Sequence, residues 1–345
     1  MSLEVLILRD CERLVLLPSE VGSLRRLEVL DVQGTEIKKL PNKISELSSL
    51  IYLKVSFYGS VNWSEYAKLP HELVSRGVIA NLLELETLSI DVYPGDRRWN
   101  KNVKSVIDEL GKLTNLTTFC CYFPEVEFLE LFLGTSNWSL SEFGVSNLDG
   151  MRLCVARECP KIETIIASKE LSEAVFPILE HLSINYLSNL STILEGMIPP
   201  ESFAKLRILT VHTCPKLQFV FASSMLHFFS NLEELIVEDC PAITEIIYQD
   251  LVVDSGSGTL PSLKKLKLHY RPRLVNIMKG KWPPIKNISF YDCPVLKKLG
   301  IDFIASHTIK GITAENDWWK ELEWQDTSFH LRLRAHFSPI CDDDL

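Results

Sequence analysis

Cysteines, histidines and glycine–lysine pairs are the groups through which this 345-residue chain could do chemistry, and their spacing argues against most of it. Paired thiols two residues apart would bind zinc, but none of the nine cysteines is so placed. His71-Glu72 lacks the second histidine that a zinc-protease helix needs. No G-x-S-x-G turn offers a nucleophilic serine. Gly111-Lys112 and Gly280-Lys281 are followed by Leu113 and Trp282 and lack the upstream glycine of a phosphate loop. No catalytic residue, metal ligand or cofactor-binding residue is assigned, and an enzyme is not expected.

Five cysteines have a different meaning. Cys11, Cys159, Cys214, Cys240 and Cys293 each stand at one position of a recurring pattern, L-x-x-L-x-V-x-x-C-P-x-L. It is clearest at Leu206–Leu217, Leu232–Ile243 and Ile285–Leu296. Two leucines two residues apart share one face of a short strand. The cysteine is expected to be buried in the turn, where a small donor satisfies a loop carbonyl. Proline fixes φ as the chain leaves the strand. The thiols therefore read as structural and free.

Eleven segments fit L-x-x-L-x-L, beginning at Leu3, Leu27, Leu50, Leu85, Leu116, Met151, Leu179, Leu206, Leu232, Leu263 and Ile285. The one at Leu116 is irregular, with Phe119, Cys121 and, at the cysteine position, Pro124. That at Met151 offers Met151, Cys154 and Ala156, with Leu153 and Val155 in a competing register. Self-similarity of this period predicts an α/β leucine-rich-repeat solenoid, a horseshoe of about 11 repeats. A parallel sheet lines its concave face, with short helices and irregular loops on the convex face. The solenoid is expected over 1–300, with insertions near 57–84, 91–115 and 124–150. Val103, Val106, Ile107, Leu110 and Leu113 mark a helix in the second insertion, and Tyr66 to Leu82 mark helical spacing in the first. A flexible loop is expected at 254–258.

Residues 301–345 read as a C-terminal capping segment. Helix-capping candidates at 313–317 precede Trp318, Trp319 and Leu322, one stripe of a short helix. Phe329, Leu331, Leu333, Ala335 and Phe337 alternate with His330, Arg332, Arg334 and His336, which predicts a strand with one basic face. That face is either solvated or a contact for an anion or an acidic partner. The first repeat begins at Leu3 without a polar cap, as expected of a piece of a longer protein or a truncated gene product.

A net charge of −9 argues against a nucleic-acid-binding protein. Apolar runs are short, so no membrane span is expected, and no secretory signal precedes Leu3, which predicts a cytoplasmic protein. The sequons at Asn62, Asn115, Asn137, Asn189 and Asn287 then read as chance occurrences.

Recognition is expected at the solvent-facing positions of the concave strands. The aromatics assigned there are Tyr52, Phe57, Tyr122, Phe123, Tyr186, Tyr270 and Tyr291, joined by His181, His212 and His269; such rings anchor protein partners. Glu234 and Glu238 on the ninth strand face Lys265, Lys267 and His269 on the tenth. Register would pair Glu234 with Lys265 and Glu238 with His269, a solvated ladder or a ligand site.

The C-P-x-L repeats, the stretch L-E-V-L-D-V-Q-G-T-E-I-K-K-L-P at 27–41 and the tail Trp318-Trp319-Lys320-Glu321-Leu322-Glu323-Trp324 resemble the leucine-rich-repeat region of plant intracellular nucleotide-binding leucine-rich-repeat disease-resistance receptors, coiled-coil class. The resemblance covers nearly the whole chain, and the tail is its most specific part. It implies a protein-recognition module that senses a pathogen effector or guarded host protein, or restrains its own nucleotide-binding domain. ADP or ATP would belong to that missing upstream domain. The alternative, a substrate-recruiting ubiquitin-ligase adaptor, would need an F-box-like segment before Leu3.

Overall fold

The computed structural model describes residues 3–57, 69–93, 96–125, 128, 152–159, 161–167, 174–250, 260–278, 281–324 and 326–340. The expected loop at 254–258, most of the 124–150 insertion and the start of the 57–84 insertion lie outside them. The chain divides into two compact units, residues 1–159 and 160–345.

In the first unit, six parallel strands follow one another in chain order: β1 (Val5–Ile7), β2 (Val29–Val32), β3 (Tyr52–Phe57), β4 (Thr87–Val92), β5 (Thr118–Cys121) and β6 (Leu153–Arg157). Their registers superpose the repeats, so Leu30, Leu53, Leu88, Phe119 and Cys154 form one buried row. Val32, Val55, Ile90, Cys121 and Ala156 form the next. Cys154 and Ala156 thus settle the ambiguous sixth register as the pattern has it. No repeat could bury this face alone; stacking does it.

The expected second-insertion helix is α1 (Arg97–Leu110). Asp96 caps it, accepting from the Arg98 amide at 2.8 Å. Its buried face pins the neighbouring return leg. Asn102 accepts from the Leu73 and Val74 amides at 3.2 and 2.7 Å, and Glu109 accepts from those of Gly77 and Ala80 at 2.6 and 3.0 Å. Trp99 donates to the Tyr122 carbonyl at 2.8 Å.

In the second unit, β7 (Thr164–Ala167) pairs with β9 (Thr192–Glu195), and β11 (Phe221–Ala222) with β13 (Ile247–Tyr248), as short parallel pairs on the return legs. The main ladder runs β8 (His181–Asn185), β10 (Ile208–His212), β12 (Glu234–Glu238), β14 (Lys265–His269), β15 (Asn287–Tyr291), β16 (Gly311–Ala314) and β17 (Phe337–Pro339). The pattern runs one turn beyond the eleven segments, because Ile309, Ile312 and Ala314 are buried at the same positions. After α2 (Phe303–Thr308), the tryptophan tail forms α3 (Asn316–Lys320), where Trp318 Nε1 donates to the Cys293 and Leu296 carbonyls at 3.1 and 3.0 Å. Trp319 stacks on Phe337 at 4.5 Å.

The expected strand over 329–337 is instead a helix, α4 (Thr327–Arg334), ahead of β17. Asp326 caps it through the Ser328 amide at 2.7 Å, and Arg332 and Arg334 fall in its last turn, where cations suit the dipole. The sequence satisfies both periods. Leu331 would be buried in the strand reading, yet it is 70% exposed, while Leu333 is buried. The Cys11 expectation also fails: the thiol is exposed. β1 pairs on one side only, and Val5 and Ile7 are exposed with it.

Candidate protein-binding surface

The second unit displays its open sheet face as three in-register rows. The first runs His181, Ile208, Glu234, Lys265, Asn287, the second Ser183, Thr210, Ile236, Lys267, Ser289 and the third Asn185, His212, Glu238, His269, Tyr291. A left-handed residue follows each strand: Tyr186 (φ 58°), Thr213 (51°), Asp239 (48°), Tyr270 (55°) and Asp292 (49°). This conformation is unfavourable for most L-residues, but it turns the chain so that the next residue, usually cysteine, enters the core. It also exposes the turn side chains. Tyr186 and Tyr270 are 47% and 42% exposed.

The expected register of the ninth and tenth strands holds, and Glu234 pairs with Lys265 at 3.2 Å. Glu238, however, takes Lys267 at 2.8 Å, with His212 at 3.8 Å on its other side. His269 does not serve as its partner. Burial, then Lys267, pushes the His269 pKa down to about 4, and its Nε2 meets Ser289 Oγ at 2.8 Å. Glu238 is held below the usual carboxylate range: burial opposes ionisation, but the Lys267 bond and charge outweigh it.

Of the residues assigned to this surface, Tyr52, Tyr186, His212, Glu234, Glu238, Lys265, Lys267, Tyr270 and Tyr291 are at least partly exposed. Phe57, Tyr122, Phe123 and His269 are buried and are withdrawn as exposed anchors. Phe57 continues the inward alternation of Leu53 and Val55, in a strand longer than the repeat requires. Tyr122 sits where α1 closes on the turn through the Trp99 bond.

In the first unit a depression of about 510 Å³ opens over β2 to β6, lined among others by Tyr52, Lys54, Ser89, Asp91, Cys120 and Arg157. Burial raises the Asp91 pKa against the pull of Arg157, the Gln33 hydrogen bond (2.6 Å) and Lys54. Burial, reinforced by Asp91, pushes the Cys120 thiol up to about 11, so it stays protonated at neutral pH and is a poor nucleophile. Lys54 lies 5.0 Å from the Tyr52 ring centroid. Sequence reasoning named only Tyr52 and Tyr122 here. Lys54, Asp91, Cys120 and Arg157 were legible as outward positions of four successive strands, but aromatic rings drew the assignment.

Behind the open faces runs the cysteine rung. Cys159, Cys214, Cys240 and Cys293 are buried and direct their Sγ to the carbonyls of Arg157 (3.1 Å), His212 (3.6 Å), Glu238 (3.3 Å) and Tyr291 (3.5 Å). The sulfurs also accept. The Cys214 amide reaches Cys240 Sγ at 3.3 Å, and the Phe123 amide reaches Cys159 Sγ at 3.2 Å, since Pro124 has no N–H to offer. Between Cys240 and Cys293 in sequence, the tenth repeat reads R-P-x-L, and Arg271 takes the cysteine position, fully buried. Its Nη1 donates to the Tyr270 carbonyl at 2.9 Å, while Nε and Nη2 have no partner among the described residues. Burial draws its pKa down, against the pull of Cys240 and Cys293. Contact between the two sulfurs raises the Cys214 pKa and lowers that of Cys240, and Arg271 adds to the fall at Cys240 against burial.

No group of side chains among the described residues could hold a metal ion. No helix among them is long and apolar enough to cross a membrane. Stacked parallel strands with varied outward residues define a leucine-rich-repeat solenoid.

A family model of leucine-rich repeat regions matches residues 1–151, and one for the leucine-rich repeats of RPS2-like plant disease resistance proteins matches residues 192–302. One Arabidopsis thaliana disease resistance protein is 24% identical, with 98% of this chain and 40% of that protein covered. The disease resistance protein SUMM2 of the same plant is 26% identical over 90% of this chain and 36% of its own length. An internalin of Listeria monocytogenes, a solved structure, aligns with TM-score 0.42 at 12% identity, covering 98% of this chain and 86% of its own. The chain is similar over nearly its whole length to the leucine-rich-repeat regions of plant disease resistance proteins. It spans about a quarter to two-fifths of the length of the curated relatives it matches.

Proposed function

We propose that this chain is the recognition surface of an intracellular plant resistance receptor, binding a pathogen effector or a guarded host protein and relaying that contact to defence signalling. Nucleotide chemistry would belong to a part of the receptor outside this chain. The observation that carries the reading is the open face itself: the buried rows of each unit are uniformly apolar, while the outward rows vary in charge, size and aromaticity from strand to strand. Such a surface separates what folds from what recognises. The depression over β2 to β6 gives it relief.

Thr118 and Val155 line that depression and are partly exposed, so Thr118→Trp and Val155→Trp fill it without touching the core. In the full receptor, either substitution should abolish the recognition-dependent defence response while leaving the melting temperature within about 2 °C, the ordinary range for surface substitutions. A full response from both variants would remove the depression from the recognition surface.

A further inference from the structure

The row of residues just ahead of the strands in the second unit has a charge pattern of its own. Glu180, Arg207, Glu233, Lys264, Lys286 and Lys310 stand side by side, each amide donating to the preceding residue's carbonyl at 2.9, 2.8, 2.8, 2.7 and 2.7 Å in turn. The first four alternate in sign, and Glu233 bridges Arg207 (3.2 Å) and Lys264 (3.0 Å). The last three do not alternate. They stand on adjacent strands, whose backbones lie about 4.8 Å apart, and among the described residues only Lys264 has a carboxylate, so Lys286 and Lys310 are left as like-charged neighbours. Lys286 and Lys310 are exposed and have no carboxylate partner among the described residues. Alongside, Asn287 and Gly311 are partners in register, and a Cβ on Gly311 would come within 2.8 Å of Asn287 Nδ2. The missing side chain lets the exposed Asn287 amide lie across the neighbouring strand, a donor and acceptor set beside the cations.

We propose that this lysine shelf docks an extended acidic segment of a protein partner, with carboxylates on Lys286 and Lys310 and backbone against the Asn287 amide. The inference rests on the protein-recognition reading and names the chemistry of one part of the partner. A uniform polyanion fits poorly, because the surface turns negative one strand away at Glu233 and Glu234. A peptide can place its charges only where the cations are.

The test is fluorescence anisotropy at low salt, on the whole chain, with a labelled octapeptide that carries two adjacent glutamates flanked by serines. Binding should weaken about tenfold or more in the Lys286→Glu/Lys310→Glu variant, and by less in Lys286→Gln/Lys310→Gln, which guards against a folding failure. Added salt should weaken it as well. Thr118→Trp should leave octapeptide binding unchanged, so failure of the depression as a recognition site and failure of the shelf give different results. No octapeptide binding, binding indifferent to both lysine variants, or a thymidine oligonucleotide of the same length bound as tightly would each overturn the proposal. So would lysine variants that alter only self-association, which would make the occupant a second copy.

Discussion

Cys159 in the first unit and Cys240 in the second occupy the same turn of the repeat, yet they answer to different surroundings. Burial pushes the Cys159 thiol up to about 12, partly offset by the Phe123 amide that donates to its sulfur, with Glu158 nearby. Cys240 instead lies beside Cys214, whose amide reaches its sulfur, and near a buried guanidinium, and its pKa is drawn down against burial. One template position is thus a neutral plug in one region and half of a polar pair in the other. The open faces differ in the same sense. In the first unit Lys54 and Arg157 flank Asp91 without closing an ion pair on it, whereas Glu234 and Glu238 in the second are each closed by a lysine. Paired charges on an exposed sheet are worth about 0–1 kcal/mol and offer a partner little. Charges left open in a depression are available to one.

The widest test of the contrast is aspartate substitution. Cys159→Asp buries an unpaired carboxylate and should cost about 2–4 kcal/mol in chemical denaturation. Cys240→Asp sets its carboxylate toward Arg271 and should cost less than half of that. Equal costs would show that Arg271 does not reach Cys240. Next in size, Arg271→Met keeps the volume and removes two unpartnered donors, so it should stabilise the second unit by about 1–4 kcal/mol. A loss of stability would mean that the guanidinium has partners that the described residues lack.

A smaller effect follows from His269. Its folded pKa, about 4, lies below the usual 6.5, so the unfolded chain binds the extra proton first. The contribution is present in full above pH 6.5 and is lost as pH falls toward 4. His269→Asn should flatten the stability profile across that window, and an unaltered profile would place His269 in water. The least effect is expected at Thr213, a β-branched residue at φ 51°. Thr213→Asn should stabilise by about 0.5 kcal/mol, because asparagine tolerates the left-handed region better. Destabilisation would show that the Thr213 Oγ1 bond to Asp239 (2.9 Å) outweighs the strain.

What the sequence revealed follows from what repeats. The period-2 leucines, the C-P-x-L turn and the strand register are enforced at every turn by the neighbouring repeat, so Glu234 opposite Lys265 could be read directly. Departures from the template were less legible. Arg271 was visible as R-P-x-L, but its burial depends on neighbours that the pattern does not describe. The segment Phe329–Phe337 satisfies strand and helix periods together, and only the Asp326 cap decides between them. Exposure was hardest to foresee. Phe57, Tyr122 and His269 follow or flank outward positions, but strand length, α1 and Ser289 draw them inward.

Photo-crosslinking in the full receptor tests the central claim, that recognition belongs to the outward residues of the strands. A photoreactive residue would replace Thr118, Thr210 or Ser289 on the open faces, or Lys205 or Glu245 on the return legs, during a recognition-triggered response. Adducts with a protein partner from the open-face positions, and none from the return legs, are the expected result. Adducts from Lys205 or Glu245 alone would contradict the account.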